Sequence, residues 1–316
     1  MPTRQSALLY LASSLLVGNG FSSAIDSSSR EPTIFDVEPG TRKSGKRYQD
    51  EVEIKANFEV DLGRKTINTE VEYLIASEME VMTAEDGQGK ECFSTIKKVR
   101  MDTTSGGQTV FCDSSTPERD GGLRSPSSRQ CKKYYDMVGR STHFYVDDGG
   151  AISDVEDVTP EKPLDENEMV SRFSPQENLQ RTSRLLKFIP YHAVAPGDHW
   201  DTATELGDGM GFFTGTSSFM GYEVEADGIE CAIIDTEGLL EVDVAVIASK
   251  VGRIGMGDRM FVGDIVLRSR MCWDNENGIA RWSVTNESYV LSMDSPMGPV
   301  TVPVDERITT STRVKA

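Results

Sequence analysis

Apolar and polar residues alternate over most of this chain, as they do in strands that bury one face. The alternation begins at residues 52–60 and resumes at 66–82, where Val71, Tyr73 and Ile75 are two residues apart. Further strand-like stretches lie at 92–101, 108–112 and 133–146. Residues 49–158 are therefore predicted to form an N-terminal β lobe.

The same alternation dominates the second half of the chain. Strand-like stretches lie at 211–225, 229–234, 239–249, 261–273, 279–293 and 299–309. Short runs rich in Asp, Asn and Gly separate them, for example residues 235–238 and 274–278. Connections this short make neighbouring strands antiparallel, because a parallel return needs about a dozen residues. Residues 191–316 are therefore predicted to form an antiparallel C-terminal β-meander.

Between the two lobes the pattern changes. Residues 147–168 are strongly acidic, which is typical of a solvated linker. Residues 175–188 then have the pattern of a helix, with Ser174 as its N-cap and Pro190 at its end. We therefore expect an acidic linker and helix over residues 159–190. The predicted fold is mainly β (α+β), with two antiparallel β-rich lobes and one central helix.

The N-terminus has the three parts of a signal peptide. Arg4 is followed by an apolar stretch at residues 7–18 and by small residues at 22–24. We expect residues 1–24 to be cleaved and residues 25–48 to form a flexible polar segment. No other stretch reaches the length needed to span a membrane, so the mature chain is expected to have no integral membrane segment. The protein is thus expected to be secreted, or to lie in the lumen of a secretory-derived compartment.

The net charge of the chain excludes some classes of binding partner. Its 316 residues include 33 Lys and Arg against 51 Asp and Glu, which gives a net charge of −18. Nucleic acids and anionic membranes both require a basic surface. We therefore expect neither as a partner.

Five cysteines in an exported chain indicate partial disulfide formation. Cys112 and Cys131 bracket the polar run 113–130, which we expect to be a disordered loop. A bond between these two cysteines would close that loop and stabilise the fold by on the order of 3 kcal/mol. Cys92 is an alternative partner for either of them.

The remaining two cysteines, Cys231 and Cys272, lie in separate strand-like segments. They can join in principle, but a simple meander would keep them too far apart. The odd number of cysteines leaves at least one free thiol or an intermolecular bond.

The densest polar cluster is residues 191–201. His192 and His199, with a nearby carboxylate, are a possible metal site, because imidazole and carboxylate suit zinc or iron. The preferred interpretation is a loop without a metal, with Trp200 as a buried structural anchor and Asp198 serving the turn. No catalytic constellation is present in the sequence, and no cofactor is expected.

Asn286 belongs to the only N-glycosylation sequon, Asn286-Glu287-Ser288. It shares parity with Trp282, Val284 and Val290, so it is expected to face inward. We mark Asn286 as a candidate glycosylation site.

Several short motifs over residues 50–310 resemble a family of uncharacterised secreted proteins, known mostly from bacteria. The motifs lie at residues 111–114, 144–146, 148–152, 188–190 and 194–200. This chain has Ile189 and His199 where the family has Leu and Ser. The resemblance implies two β-rich lobes, similar to lipid-binding proteins of the bactericidal/permeability-increasing type, and it implies no catalytic motif.

These observations favour a non-enzymatic binding protein, secreted or lumenal, for an apolar or lipid-like ligand or a protein partner. The presence of apolar residues on both faces of the predicted strands supports this hypothesis. The first alternative is an acidic structural or surface-assembly protein that uses cation-mediated contacts. The second is a hydrolase that acts through acidic residues or the segment containing His192 and His199.

Overall fold

The fold consists of β-strands in a long antiparallel arrangement. The computed structural model describes residues 42–61, 66–85, 89–116, 131–132, 134–146, 152–159, 188–190, 192–205, 211–242, 260–262, 264–295 and 298–315. The strands are β1 (Arg47–Asp61), β2 (Thr66–Thr83), β3 (Lys90–Ser105), β4 (Gln108–Asp113), β5 (Ser141–Val146), β6 (Ile152–Asp157), β7 (His199–Glu205), β8 (Gly211–Val224), β9 (Glu230–Val242), β10 (Met260–Val262), β11 (Ile265–Asp274), β12 (Ile279–Ser295) and β13 (Gly298–Lys315).

All thirteen strands belong to one sheet. Their order is β6-β5-β3-β2-β1-β13-β12-β11-β9-β8-β7, while β4 pairs with β3 and β10 pairs with β12. Each half of the chain forms a meander, and the two meanders meet where β1 pairs with β13. That seam runs from the pair Arg47–Lys315 to the pair Phe58–Val304.

The two predicted lobes are therefore wrong. The pairing of β1 with β13 joins both meanders into a single sheet, and its main core contains residues of both. That core includes Ile54 and Tyr73 from the first meander together with Met271 and Ile308 from the second. The prediction of two lobes did not include this pairing, because β1 and β13 are far apart in the sequence.

The predicted α+β class is also wrong for the described residues. They contain no helix element, only a helical turn that begins at Cys131. The helix predicted at 175–188 lies outside the described residues except for Phe188. The predicted signal peptide, residues 117–130 of the predicted loop and most of the predicted acidic linker also lie outside them. The acidic residues 152–157 form β6, which pairs with β5 and extends the sheet.

The alternation of apolar residues is confirmed where it was clearest. Val71, Tyr73 and Ile75 are all buried in β2. We call the face that carries them the inner face, because the main core lies on it, and the opposite one the outer face. A second buried cluster on the inner face contains Tyr48 and Cys92. Tyr48 shows that ordered structure already includes the last residues of the predicted polar segment 25–48.

Residues 235–238, predicted as a turn, lie inside β9 instead. Gly238 pairs with Gly215 of β8 on one side and with Leu267 of β11 on the other. A Cβ on Gly238 would lie 2.3 Å from the carbonyl oxygen of Thr214 and 2.7 Å from Cζ of Phe213. Glycine is therefore needed here because the Phe213 ring and a neighbouring backbone approach closely, not because the chain turns.

Candidate functional site

The outer face of the second meander carries an exposed apolar surface. We call it the apolar band. Its members are four large side chains that remain about half exposed, one on each of four neighbouring strands: Phe212 (45%), Leu239 (45%), Val266 (41%) and Val290 (46%). Contiguous exposed apolar surface of this kind marks interaction sites more often than single exposed residues do.

Strand register brings the members of the apolar band together. Leu239 of β9 lies directly opposite Val266 of β11. Phe212 of β8 and Val290 of β12 each lie one diagonal step from this central pair. Directly opposite side chains are close neighbours and diagonal ones lie one step farther apart, so the four form one surface rather than four isolated residues.

An exposed ion pair borders the apolar band. Glu237 lies opposite Arg268 in the next outward-facing row, and Nη2 of Arg268 is 2.9 Å from Oε1 of Glu237. An apolar centre beside a polar rim is the usual composition of an interaction surface. The sequence contained a signal for this surface. Leu239 and Val266 each lie two residues from a charged side chain, Glu237 and Arg268, so they share its outward-facing side of the strand. The turn wrongly predicted at 235–238 hid that parity.

Beyond the ion pair, the same outer face becomes buried. Arg270 lies opposite Asp235, and its side chain is only 7% exposed. Its guanidinium donates to Oε1 of Glu223 at 2.9 Å and to Oδ2 of Asp235 at 3.5 Å. Burial raises the pKa of Asp235, and Glu223 adds to the rise, while Arg270 opposes it. A buried arginine therefore binds two carboxylates that remain partly exposed at the surface.

The inner face contains a second group of buried acids. Glu287 of β12 and Glu306 of β13 lie directly opposite each other, and both are buried. Burial raises the pKa of the neighbouring Tyr289 well above its usual value, and both carboxylates and a hydrogen bond with Glu306 reinforce the rise. Sequence reasoning missed this pair, because facing positions on β12 and β13 follow from register alone.

Trp200, the predicted anchor, is at an inward-facing position of β7, as are the buried Thr202 and Thr204. Its side chain packs against the main core but remains partly exposed. Its Nε1 donates a hydrogen bond of 3.0 Å to the carbonyl oxygen of Phe188. Trp200 thus connects the start of the second meander to the residues that precede it.

A side-chain hydrogen bond stabilises the turn that precedes Trp200. Oδ2 of Asp198 accepts a hydrogen bond of 2.7 Å from the backbone N–H of Ala195. Gly197 has a φ of 96°, which favours glycine at this position. His199 is exposed, and its Nδ1 lies 2.7 Å from Oγ of Ser218.

We expect Trp200→Ala to lower the free energy of unfolding by about 2–3 kcal/mol, less than the loss for a fully buried aromatic, because the indole is partly exposed. The matched control is His199→Ala, which should stay within about 0.5 kcal/mol because the imidazole is at the surface. Denaturant titrations of both variants measure the difference. Equal losses for the two variants would refute the anchor role.

The predicted metal alternative has no support among the described residues. His192 and His199 are both exposed. No group of three or more His, Cys, Asp or Glu side chains is arranged to hold a metal ion in the described ranges. In that part of the chain, no helix has the length and apolar character needed to span a membrane either.

The sulfurs of Cys112 and Cys131 lie 2.00 Å apart, at disulfide distance, which supports the predicted pair. Both residues are buried in the main core beside Tyr134 and Met137. The pair attaches the helical turn after residue 130 to β4.

Asn286 does not face inward as predicted. On β12 the inward positions are Ser283, Thr285 and Glu287, which are all buried. Asn286 has the opposite parity and is partly exposed on the outer face. The prediction failed because Val284 and Val290, which share its parity, are outward-facing apolar residues.

No known protein family matches the chain, and no curated protein matches it. Among solved structures, it is similar to an outer membrane channel from Pseudomonas putida F1. The TM-score is 0.24 and the identity 7%, over 90% of this chain and 100% of that one.

Two other solved structures are also similar to this chain. A domain named for outer membrane lipoprotein sorting, from Vibrio parahaemolyticus, has a TM-score of 0.16 and 8% identity, over 84% of this chain and 86% of that one. A protein of a family of unknown function from Desulfovibrio piger has a TM-score of 0.14 and 9% identity, over 81% and 83%. At such TM-scores they carry no argument about ligand or activity.

Proposed function

We propose that this protein is an exported, non-enzymatic binding protein that docks a neutral or zwitterionic lipid on the apolar band. The observation that carries the proposal is the contiguous set of half-exposed apolar side chains across β8, β9, β11 and β12. Burying such a surface is favourable by roughly 25 cal/mol per Å² of apolar area. Export is part of the proposal and is supported by the signal-peptide pattern at residues 1–24 and by the pair Cys112–Cys131.

The charges near the apolar band select the headgroup. The net charge of −18 repels anionic lipids. At the border of the band, Arg268 and Glu237 present both signs of charge side by side. A zwitterionic headgroup also carries both signs, so it complements this border without adding net charge.

The test is flotation of the full chain with phosphatidylcholine vesicles. We expect the protein to float with these vesicles and to bind vesicles of anionic phosphatidylglycerol more weakly. The double variant Leu239→Ser/Val266→Ser should weaken binding to phosphatidylcholine by about tenfold or more, because it removes the apolar centre of the band.

Val224→Ser is the matched control, because Val224 is 68% exposed but lies outside the apolar band. Its binding should equal that of the unmodified protein. Two outcomes contradict the proposal: the unmodified protein remains unbound, or Val224→Ser weakens binding as much as the double variant does. Unfolding titrations of each variant show that the fold is intact.

A further inference from the structure

The sheet topology brings together two cysteines that the sequence placed apart. β10 pairs with β12 and leaves the main path, so β11 lies directly beside β9. Cys231 of β9 and Cys272 of β11 therefore lie in neighbouring strands. The expectation that a simple meander would separate them is wrong for this reason.

The register places both thiols on the outer face. Cys272 lies opposite Ile233, and Cys231 is two residues before Ile233, so the cysteines are diagonal neighbours. All three residues form one buried cluster, and the two thiols share a hydrogen bond. The β11–β12 register shifts between Cys272 and Trp273, where Arg281 of β12 is the extra residue, and such a bulge increases the local twist.

We infer that Cys231 and Cys272 form a second disulfide when the chain folds in the presence of a disulfide oxidant. With Cys112–Cys131 as the first bond, this pairing leaves Cys92 as the odd thiol. Cys92 lies on the inner face, in the cluster that contains Tyr48, and so belongs to a different part of the molecule.

The chemistry balances with oxidised glutathione as the oxidant. One cysteine thiolate attacks the glutathione disulfide, forms a mixed disulfide and releases one glutathione thiolate. The second cysteine thiolate then attacks the protein sulfur of the mixed disulfide and releases the other glutathione. In total the two cysteines lose two protons and two electrons, and oxidised glutathione is reduced to two glutathione molecules.

Burial determines when this bond can form. Both thiols are fully buried in the folded chain, so an oxidant reaches them only before β9 and β11 close. A hydrogen bond with Cys231 and burial both raise the pKa of Cys272, and Glu225, which accepts from its Sγ at 3.6 Å, reinforces the rise. A thiol held protonated is a poor nucleophile, so reduced chains that fold without an oxidant should keep this pair reduced.

The experiment is oxidative refolding of the full chain. The reduced protein is refolded with reduced and oxidised glutathione, unfolded in guanidinium without reductant, alkylated and mapped by mass spectrometry. We expect a linked peptide joining Cys231 to Cys272, and alkylation at Cys92 alone. Alkylation of both Cys231 and Cys272, or a link from either one to Cys92, would overturn the inference.

Two variants sharpen the result. Cys92→Ser should still yield the Cys231–Cys272 peptide, with no alkylated cysteine remaining. Cys231→Ser should leave Cys272 alkylated together with Cys92. If Cys92→Ser abolishes the Cys231–Cys272 link although the chain refolds, the pairing depends on Cys92 and the inference is wrong.

Discussion

Gly238→Ala should lower the free energy of unfolding by about 3 kcal/mol or more, toward the upper end of the usual cost of overpacking. The added Cβ would overlap the carbonyl oxygen of Thr214 and the Cα of Gly215, at 2.3 and 2.6 Å. Both contacts are with backbone, which cannot rotate away as a flexible side chain can. Relief therefore requires β8 and β9 to separate, at the cost of ladder hydrogen bonds and of packing around Phe213.

The matched control is Gly228→Ala in the hairpin between β8 and β9. At Gly228 a Cβ meets nothing within 4 Å, but the φ of 84° is unfavourable for alanine. This control should lose only about 1–2 kcal/mol, the usual cost of a left-handed backbone for a residue with a Cβ. Urea titrations compare the two substitutions directly. A loss for Gly238→Ala no greater than that for Gly228→Ala would show that β8 and β9 adjust without cost.

Gly238 also shows where the sequence pattern loses information. Asp235-Thr236-Glu237-Gly238 has the composition of a turn, and local composition cannot distinguish a turn glycine from one that accommodates a ring. The deciding contacts come from Thr214, Gly215 and the ring of Phe213, all on the neighbouring strand. Alternation predicted the strands and the short connections predicted their antiparallel direction, because both depend on nearby residues.

The features that could not be predicted from the sequence depend on pairing between strands that are distant in the sequence. The seam from Arg47–Lys315 to Phe58–Val304 joins the first and last described strands and merges the expected lobes. No local pattern distinguishes such a pairing from two separate sheets, since both bury the same alternating residues. The apolar band and the pair Glu287–Glu306 likewise exist only through register between strands. The Cys112–Cys131 pair could be predicted from the sequence, because the two cysteines lie at the two edges of one polar run.

Alkaline pH should destabilise the protein through Cys92. Burial raises the pKa of this thiol from 9.0 to about 11, and the nearby Arg42 and Lys90 only partly oppose that rise. Between these pH values the unfolded chain releases the thiol proton while the folded chain retains it. The stabilising contribution is thus fully present below pH 9.0 and is lost as the pH rises through about 11. The expected loss is about 3 kcal/mol, from about 1.4 kcal/mol per pKa unit.

Cys92→Ala isolates this contribution. The variant should be less stable than the unmodified protein at pH 8, because it leaves a small cavity beside Phe144 and Val81. Its stability should nevertheless fall less steeply between pH 8 and pH 11. Tyr289→Phe is the control, because Tyr289 also has a raised pKa but lies in a different cluster. Removing Tyr289 should reduce the loss of stability only above about pH 10, where an unfolded tyrosine ionises, and should leave the loss between pH 9 and pH 10 unchanged.

Guanidinium titrations at pH 8, 9, 10 and 11 measure the slope of each variant. Repulsion from the net negative charge affects the unmodified protein and Cys92→Ala almost equally, so it cancels from the difference between them. A slope for Cys92→Ala equal to that of the unmodified protein would show that Cys92 does not titrate in this range. A disulfide to Cys92 would produce that result, and peptide mapping of the same sample would reveal the bond. Parallel slopes without such a bond would mean that solvent reaches the thiol in the folded chain, so that its pKa stays near the ordinary value.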